Sequence, residues 1–213
     1  MPGRGYLRDA IVKLPNLLTV SRLLMAFVMA VFLTIPVPFG KTLGLLTFLL
    51  AALSDYWDGR LARRSGGITA FGQLMDPLAD KILVCAAFIC FVAMDQIVPA
   101  WIVIIIIARE FMVTGLRMLA AGQGQIISAG RWGKHKTAWQ IVVIGIILVG
   151  ECLRDDILPR CLPPADLPVF LSRYFDRVFT AATMVIAILV AMLTVVSGTV
   201  YFWRYRGLVL THA

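Results

Sequence analysis

Apolar residues run along this chain in long blocks, broken at short intervals by proline, glycine or charge. The blocks are too long for the alternation of a strand and too continuous for the one-sided stripe of a water-soluble helix. A helix needs about 20 mainly apolar residues to cross the hydrocarbon core of a bilayer. Six blocks approach that length, and the pattern predicts helices over about 16–35, 39–64, 74–94, 101–121, 137–153 and 175–203. Pro36 and Pro38, then Gly66 and Gly67, then residues 95–99 mark the first turns. A glycine-rich basic connector over 122–136 and a polar, proline-rich loop over 154–168 mark the later ones. The last block is long enough to tilt or to project beyond the bilayer. At the start, Arg4, Arg8 and Lys13 lie among Tyr6, Leu7, Ile11, Val12 and Leu14, a pattern for a short interfacial helix stopped near Pro15. The predicted fold class is an all-α integral membrane protein with six transmembrane helices. One domain is expected: interfacial helix 1–15, bundle 16–203 and cytoplasmic tail 204–213.

Composition sharpens this. The chain has 213 residues, of which 60% are hydrophobic, leaving too little polar surface for a soluble domain of this size. Arg22 interrupts the approach to the first apolar block and no small-residue cleavage site follows, so that block is expected to stay as a helix. The formal net charge is +8. Because the basic residues sit beside apolar blocks, they point to topology and to phosphate-bearing substrates, and not to nucleic acid. With the N-terminus inside, Lys41, Arg154, Arg160, Arg173 and Arg177 are the outer cations, and the rest of the 20 Lys and Arg fall on the other side. Both termini are therefore expected in the cytoplasm, in a multi-pass protein of the cytoplasmic (inner) membrane. Of four cysteines, Cys85 and Cys90 lie in an apolar block and read as small hydrophobes, whereas Cys152 and Cys161 flank the 154–168 loop. Spacing leaves open whether that pair bridges. Tyr201, Phe202 and Trp203 read as an interfacial belt.

Charged groups inside membrane helices are costly and mark function. Asp55 and Asp58 are three apart near the end of the second predicted helix, so they share a face with Gly59 and Ala62. Asp76 and Asp80 are four apart near the start of the third, where Pro77 could mark the helix start with Asp76 as its cap. A short connection between the helices would bring the four together. Converging carboxylates need compensation. Ion pairs with Arg60, Arg63, Arg64 and Lys81 are one solution. Divalent cations are the other, and all-oxygen donors favour hard ions such as Mg²⁺ or Mn²⁺. Four carboxylates suit two ions, an arrangement used in phosphoryl chemistry. The small Gly59 and Ala62 leave room for a diphosphate, and Arg63 could contact it.

Residues 55–80 read DYWDGRLARRSGGITAFGQLMDPLAD. Asp55, Asp58, Gly59, Ala62, Arg63, Gly72, Asp76 and Asp80 match the signature of the CDP-alcohol phosphotransferases at every fixed position, and the six-helix layout extends the resemblance over most of the chain. The resemblance implies that Asp55, Asp58, Asp76 and Asp80 hold two metal ions and that Asp80 is the general base. It implies that Gly59, Ala62, Arg63, Thr69, Gly72, Asn16 and Thr19 contact CDP-diacylglycerol. It further implies attack by an alcohol hydroxyl on the lipid-linked phosphate, with CMP leaving. A homodimer is expected by analogy with that family.

The segments 15–22 (PNLLTVSR), 76–81 (DPLADK), 108–110 (ARE), 116–117 (LR) and 132–140 (WGKHKTAWQ) resemble the phosphatidylglycerophosphate synthases within that family. Arg109, Arg117, Lys134 and Lys136 form a second basic group on the same side as the aspartates, as a phosphorylated acceptor such as glycerol 3-phosphate requires. The plainer reading of these cations is topology alone. Glu110 either pairs with Arg109 or orients it. Inositol phosphate, or phosphatidylglycerol for cardiolipin, are the alternative acceptors. A small divalent-cation transporter is the alternative of another class. It is opposed by the Asp-Gly-x2-Ala-Arg run, by the absence of a Gly/Pro-broken helix pair or an inverted repeat, and by the clustering of all four acids near one interface.

Overall fold

The computed structural model describes residues 20–65, 70–94, 97–122, 131–163 and 167–204. Every regular element among them is a helix. They are α1 (Val20–Thr34), α2 (Gly40–Ser65), α3 (Ala70–Ala93), α4 (Ala100–Gly122), α5 (Arg131–Glu151), α6 (Leu158–Cys161), α7 (Leu167–Phe170) and α8 (Asp176–Arg204). π-helical turns at Cys152–Ile157 and Leu171–Phe175 join α5 to α6 and α7 to α8. The predicted interfacial helix, Asn16 and Thr19 lie outside the described residues. Two compact units divide between residues 87 and 88.

In the first unit, α1 and α2 form a tight hairpin. Pro36 cannot continue α1, and the turn closes with Val37 N–H donating to the Ile35 carbonyl at 2.8 Å and Gly40 N–H to Val37 at 3.0 Å. Phe39 takes a left-handed φ of 58° to enter α2. Lys41 Nζ donates to the Leu33 carbonyl at 2.7 Å, filling an acceptor that the end of α1 leaves open. Gly40 and Gly44 set the approach of the helices. A Cβ on Gly40 would stand 2.7 Å from the Phe32 carbonyl oxygen, and one on Gly44 2.5 Å from Leu33 Cδ2. Small residues four apart let helices pack backbone to backbone, which is how helices associate where burial from water drives little. Ala26, Met29 and Leu33 of α1 and Phe48 and Ala51 of α2 are buried.

In the second unit, α8 packs on α4 and α5. Its inward face is made mostly of small or polar residues: Thr183, Ala187, Ala191 and Thr194 are buried, with Val190 beside them. Its outward face is Val185, Leu189, Met192, Val196 and Val200, all exposed, with Val200 at 64%. A water-soluble helix has the reverse order, so this one fits an apolar surrounding. Gly150 of α5 sits against the Phe179 ring, which stacks on Phe175 at 5.5 Å between centroids.

Among the described residues, Pro168–Trp203 is the one helix long and apolar enough to cross a bilayer by length and composition. α2, α4 and α5 are long enough at 26, 23 and 21 residues, but each carries charge within its length.

Several expected boundaries change. α3 begins at Ala70, so Asp76 is interior to the helix and is not a cap, and Pro77 sits within the helix. α5 begins at Arg131, which places Lys134, His135 and Lys136 on a helix; 123–130 lie outside the described residues. Most of the predicted 154–168 loop is helical as far as Cys161. Cys152 is buried and Cys161 exposed, and neither is in a disulfide. On one continuous helical run they lie roughly 13 Å apart, beyond the reach of a disulfide.

Candidate functional site

The acidic signature occupies the end of α2 and the first half of α3. Asp55, Asp58, Gly59, Ala62 and Arg63 fall within α2, and Gly72, Asp76 and Asp80 within α3. The intervening residues 66–69, Thr69 among them, lie outside the described residues, as do the side chains of 55–80. Backbone register alone places Asp55 and Asp58 on one face of α2, about 4.5 Å apart along the axis, and Asp76 and Asp80 on one face of α3, about 6 Å apart. The early start of α3 gives Asp80 two preceding helical turns. Carboxylate oxygens are hard donors, which favour Mg²⁺ or Mn²⁺ over a soft or tetrahedral-site metal.

The second polar group is built by α4, α5 and α8, and its side chains are described in detail. Arg109 stands on α4 beside Glu110, and its Nη1 donates to Glu110 Oε1 at 3.2 Å. Its Nη2 donates to Ser197 Oγ on α8 at 2.8 Å. Gly198 lies against the stem of Arg109: a Cβ there would meet Arg109 Cγ at 2.9 Å. Glu110 is 2% exposed, and the same Oε1 also accepts from Gln140 Nε2 of α5 at 3.4 Å. Three helices thus meet around one part-buried ion pair, whose buried carboxylate is tolerable only where further hydrogen bonds satisfy its atoms. Thr114, one turn on, donates its hydroxyl to the Glu110 carbonyl at 2.8 Å.

Two turns along α4, Arg117 Nε donates to the Tyr201 hydroxyl at 3.3 Å, and its guanidinium carbon lies 5.8 Å from the centre of that ring. Both contacts favour a fixed guanidinium. Tyr201 thus makes a polar contact beyond the interfacial belt expected of Tyr201, Phe202 and Trp203, and Phe202 and Trp203 are exposed. Lys134 and Lys136 lie in the first two turns of α5, and their side chains lie outside the described residues. Glu110 pairs with Arg109, one of the two roles open to it from sequence.

Sequence reading did not single out Gln140, Ser197, Gly198 or the polar role of Tyr201. The signal existed. Gln140 is a lone amide entering an apolar run, and Thr194, Ser197, Gly198 and Tyr201 recur at three- and four-residue spacing on α8.

Farther along the same unit, Arg154 Nε donates to Asp176 Oδ1 at 2.9 Å, and Arg160 donates to the Asp156 carbonyl. These contacts tie the first π-helical turn and α6 to their neighbours.

Comparison with known proteins places residues 12–204 within the profile of a family described as CDP-alcohol phosphatidyltransferase. The chain is 36% identical over 177 residues to the CDP-diacylglycerol–glycerol-3-phosphate 3-phosphatidyltransferase of Bacillus subtilis (strain 168), covering 78% of this chain and 90% of that one. It is 35% identical over 140 residues to the protein of the same name from Rickettsia typhi, covering 65% of this chain and 77% of the other. It is 44% identical over 93 residues to that of Treponema pallidum, a shorter match covering 44% of this chain and 43% of the other.

Proposed function

The chain belongs to the CDP-alcohol phosphatidyltransferase family, and from that premise we propose that it transfers the phosphatidyl group of CDP-diacylglycerol to glycerol 3-phosphate. The products are phosphatidylglycerophosphate and CMP. It is a transferase of phospholipid biosynthesis. The observation that carries the reading is the complete eight-position signature on α2 and α3, inside a match that covers residues 12–204. The names borne by relatives at 35–36% identity select the acceptor.

Asp55, Asp58, Asp76 and Asp80 hold divalent metal in this reading, two ions of Mg²⁺ or Mn²⁺. When bound, the metal neutralises the diphosphate and stabilises charge on the leaving phosphate. Gly59, Ala62, Arg63, Thr69, Gly72, Asn16 and Thr19 accommodate CDP-diacylglycerol. Asp80 accepts the proton of the acceptor hydroxyl as that oxygen attacks the lipid-linked phosphorus. The new bond joins acceptor oxygen to phosphorus, and the bond between the two phosphates breaks, releasing CMP. Arg109, Arg117, Lys134 and Lys136 receive the phosphate of the acceptor. The hydroxyl contacts of Arg109 and Arg117 support this, since they hold two guanidiniums on the α8-facing side of α4.

α1 to α5 and α8 are read as six membrane spans, with the site and both termini on the cytoplasmic face of the inner membrane. The outward apolar face of α8 and the asymmetry of Lys and Arg support this placement.

The test is incubation of purified protein with CDP-diacylglycerol, Mg²⁺ and one acceptor at a time, followed by identification of the lipid formed. Glycerol 3-phosphate should give phosphatidylglycerophosphate. Product formed instead from inositol phosphate or phosphatidylglycerol would reassign the acceptor.

A further inference from the structure

We infer that Ser197 and Gly198 of α8 and Gln140 of α5 are positioning residues that aim Arg109 at the phosphate of the acceptor. This rests on the reading of Arg109 and Arg117 as the acceptor-phosphate site.

A long arginine side chain loses much rotamer freedom when it binds an anion, unless the protein has already fixed it. Here it is fixed on several sides. Ser197 Oγ holds Nη2 at 2.8 Å, Glu110 Oε1 holds Nη1 at 3.2 Å, and Gly198 leaves only enough space for the stem. Glu110 is itself held, because Gln140 Nε2 reaches the same oxygen at 3.4 Å from another helix. Glu110 and Gln140 are almost fully buried, at 2% and 1% exposed, so neither can relax into solvent if its partner is lost. The buried Nε of Arg109 has no hydrogen-bond partner among the described residues. The guanidinium is therefore oriented but not saturated with acceptors.

Charge separates the two arginines. Glu110 offsets the charge of Arg109, whereas the contacts described for Arg117 are to the phenol oxygen and ring of Tyr201. Arg109 then supplies direction through fixed donors, and Arg117 supplies the attraction for an anion. Removing a residue that aims Arg109 should weaken acceptor recognition without changing net charge, and so without changing the salt dependence of that recognition.

The experiment is steady-state kinetics of the full-length protein in mixed micelles, varying glycerol 3-phosphate and CDP-diacylglycerol separately at two ionic strengths. Ser197→Ala, Gln140→Leu and Gly198→Ala are compared with Ser197→Thr and Arg109→Lys. Ser197→Ala and Gln140→Leu should raise KM for glycerol 3-phosphate about tenfold, the size of one lost hydrogen bond to a charged group. Turnover at saturating acceptor and KM for CDP-diacylglycerol should stay within about twofold of wild type. Ser197→Thr, which keeps the hydroxyl, should restore the acceptor KM. Gly198→Ala displaces Arg109 without removing a hydrogen bond, and should raise the same KM. Wild-type acceptor KM in Ser197→Ala and Gln140→Leu, with a raised KM in Arg109→Lys, would overturn the positioning role and leave the acceptor site standing. An unchanged acceptor KM in Arg109→Lys would overturn the acceptor site as well. Loss of turnover together with a rise in both KM values, and no rescue by Ser197→Thr, would make the network structural only and overturn the inference.

Discussion

The acidic segment of α2 and α3 and the polar cluster of α4, α5 and α8 are built in opposite ways. The first is contained in residues 55–80, where two aspartate pairs at helical spacing flank a short connection. The second joins residues far apart in the chain: Arg109 to Ser197, Arg117 to Tyr201 and Glu110 to Gln140. The first sets four carboxylates among three arginines, and in the proposed reading those carboxylates hold divalent metal. The second pairs its charges internally and places them against neutral partners. Chemistry that depends on charge is thus written locally, because register alone brings the groups to one face. Recognition that depends on aim is written in packing, because an arginine is held only where other helices supply the acceptors and the space.

The comparison breaks first at the aspartates. Asp58→Asn should abolish transfer while leaving the helices intact by circular dichroism, since it removes charge with little change of shape. Excess chelator should do the same, with activity restored by Mg²⁺ or Mn²⁺. Full activity in chelator would remove the metal account. Asp80→Asn should lower turnover about 10²–10⁴-fold, the usual contribution of a general base. It should leave CDP-diacylglycerol binding in Mg²⁺ largely intact, whereas Asp55→Asn should weaken that binding. Equal loss of binding in both, with an unaltered pH profile of residual turnover in Asp80→Asn, would leave Asp80 as a metal ligand only.

A smaller effect is expected at the other region. Arg117→Gln should raise KM for glycerol 3-phosphate at least tenfold, by roughly the worth of a charged hydrogen bond, and should flatten its salt dependence. An unchanged KM would remove Arg117 from the acceptor site.

These two regions also mark what could be read from the sequence. The order of long helices and the aspartate signature were legible, because apolar length and fixed spacing are local properties. Pro77 resembles a first-turn proline and suggests a later start for α3, yet the helix accommodates it several residues in. The apolar pattern also suggests a later start for α5 than Arg131. Arg131, Lys134 and Lys136 look like a connector, but they form the charged end of a helix whose apolar part begins afterwards. In sequence Tyr201 is indistinguishable from its neighbours Phe202 and Trp203, and the contact with Arg117 sets it apart. The Gly40–Gly44 pair was present at the right spacing, but its use became evident from the close approach of Leu33.

That glycine pair gives a prediction confined to stability. Gly44→Leu should destabilise the α1–α2 hairpin by about 1–3 kcal/mol, the usual cost of overpacking, read as a lowered thermal midpoint in detergent. An unchanged midpoint would mean that Leu33 moves aside freely. The smallest effect concerns thiols. A reductant should leave activity unchanged, because Cys152 and Cys161 are not joined in a disulfide. A membrane-impermeant maleimide applied to intact cells should label exposed Cys161, and Cys161→Ser should abolish that labelling. Labelling only after permeabilisation would invert the proposed topology and separate the site from cytosolic substrates.

The central claim is most directly tested by CMP release from CDP-diacylglycerol by the purified protein, followed with and without glycerol 3-phosphate. The account predicts CMP and phosphatidylglycerophosphate in equal amounts, dependent on acceptor and divalent metal, with none from Asp58→Asn. CMP released at the same rate without acceptor, or at the same rate by Asp58→Asn, would contradict it.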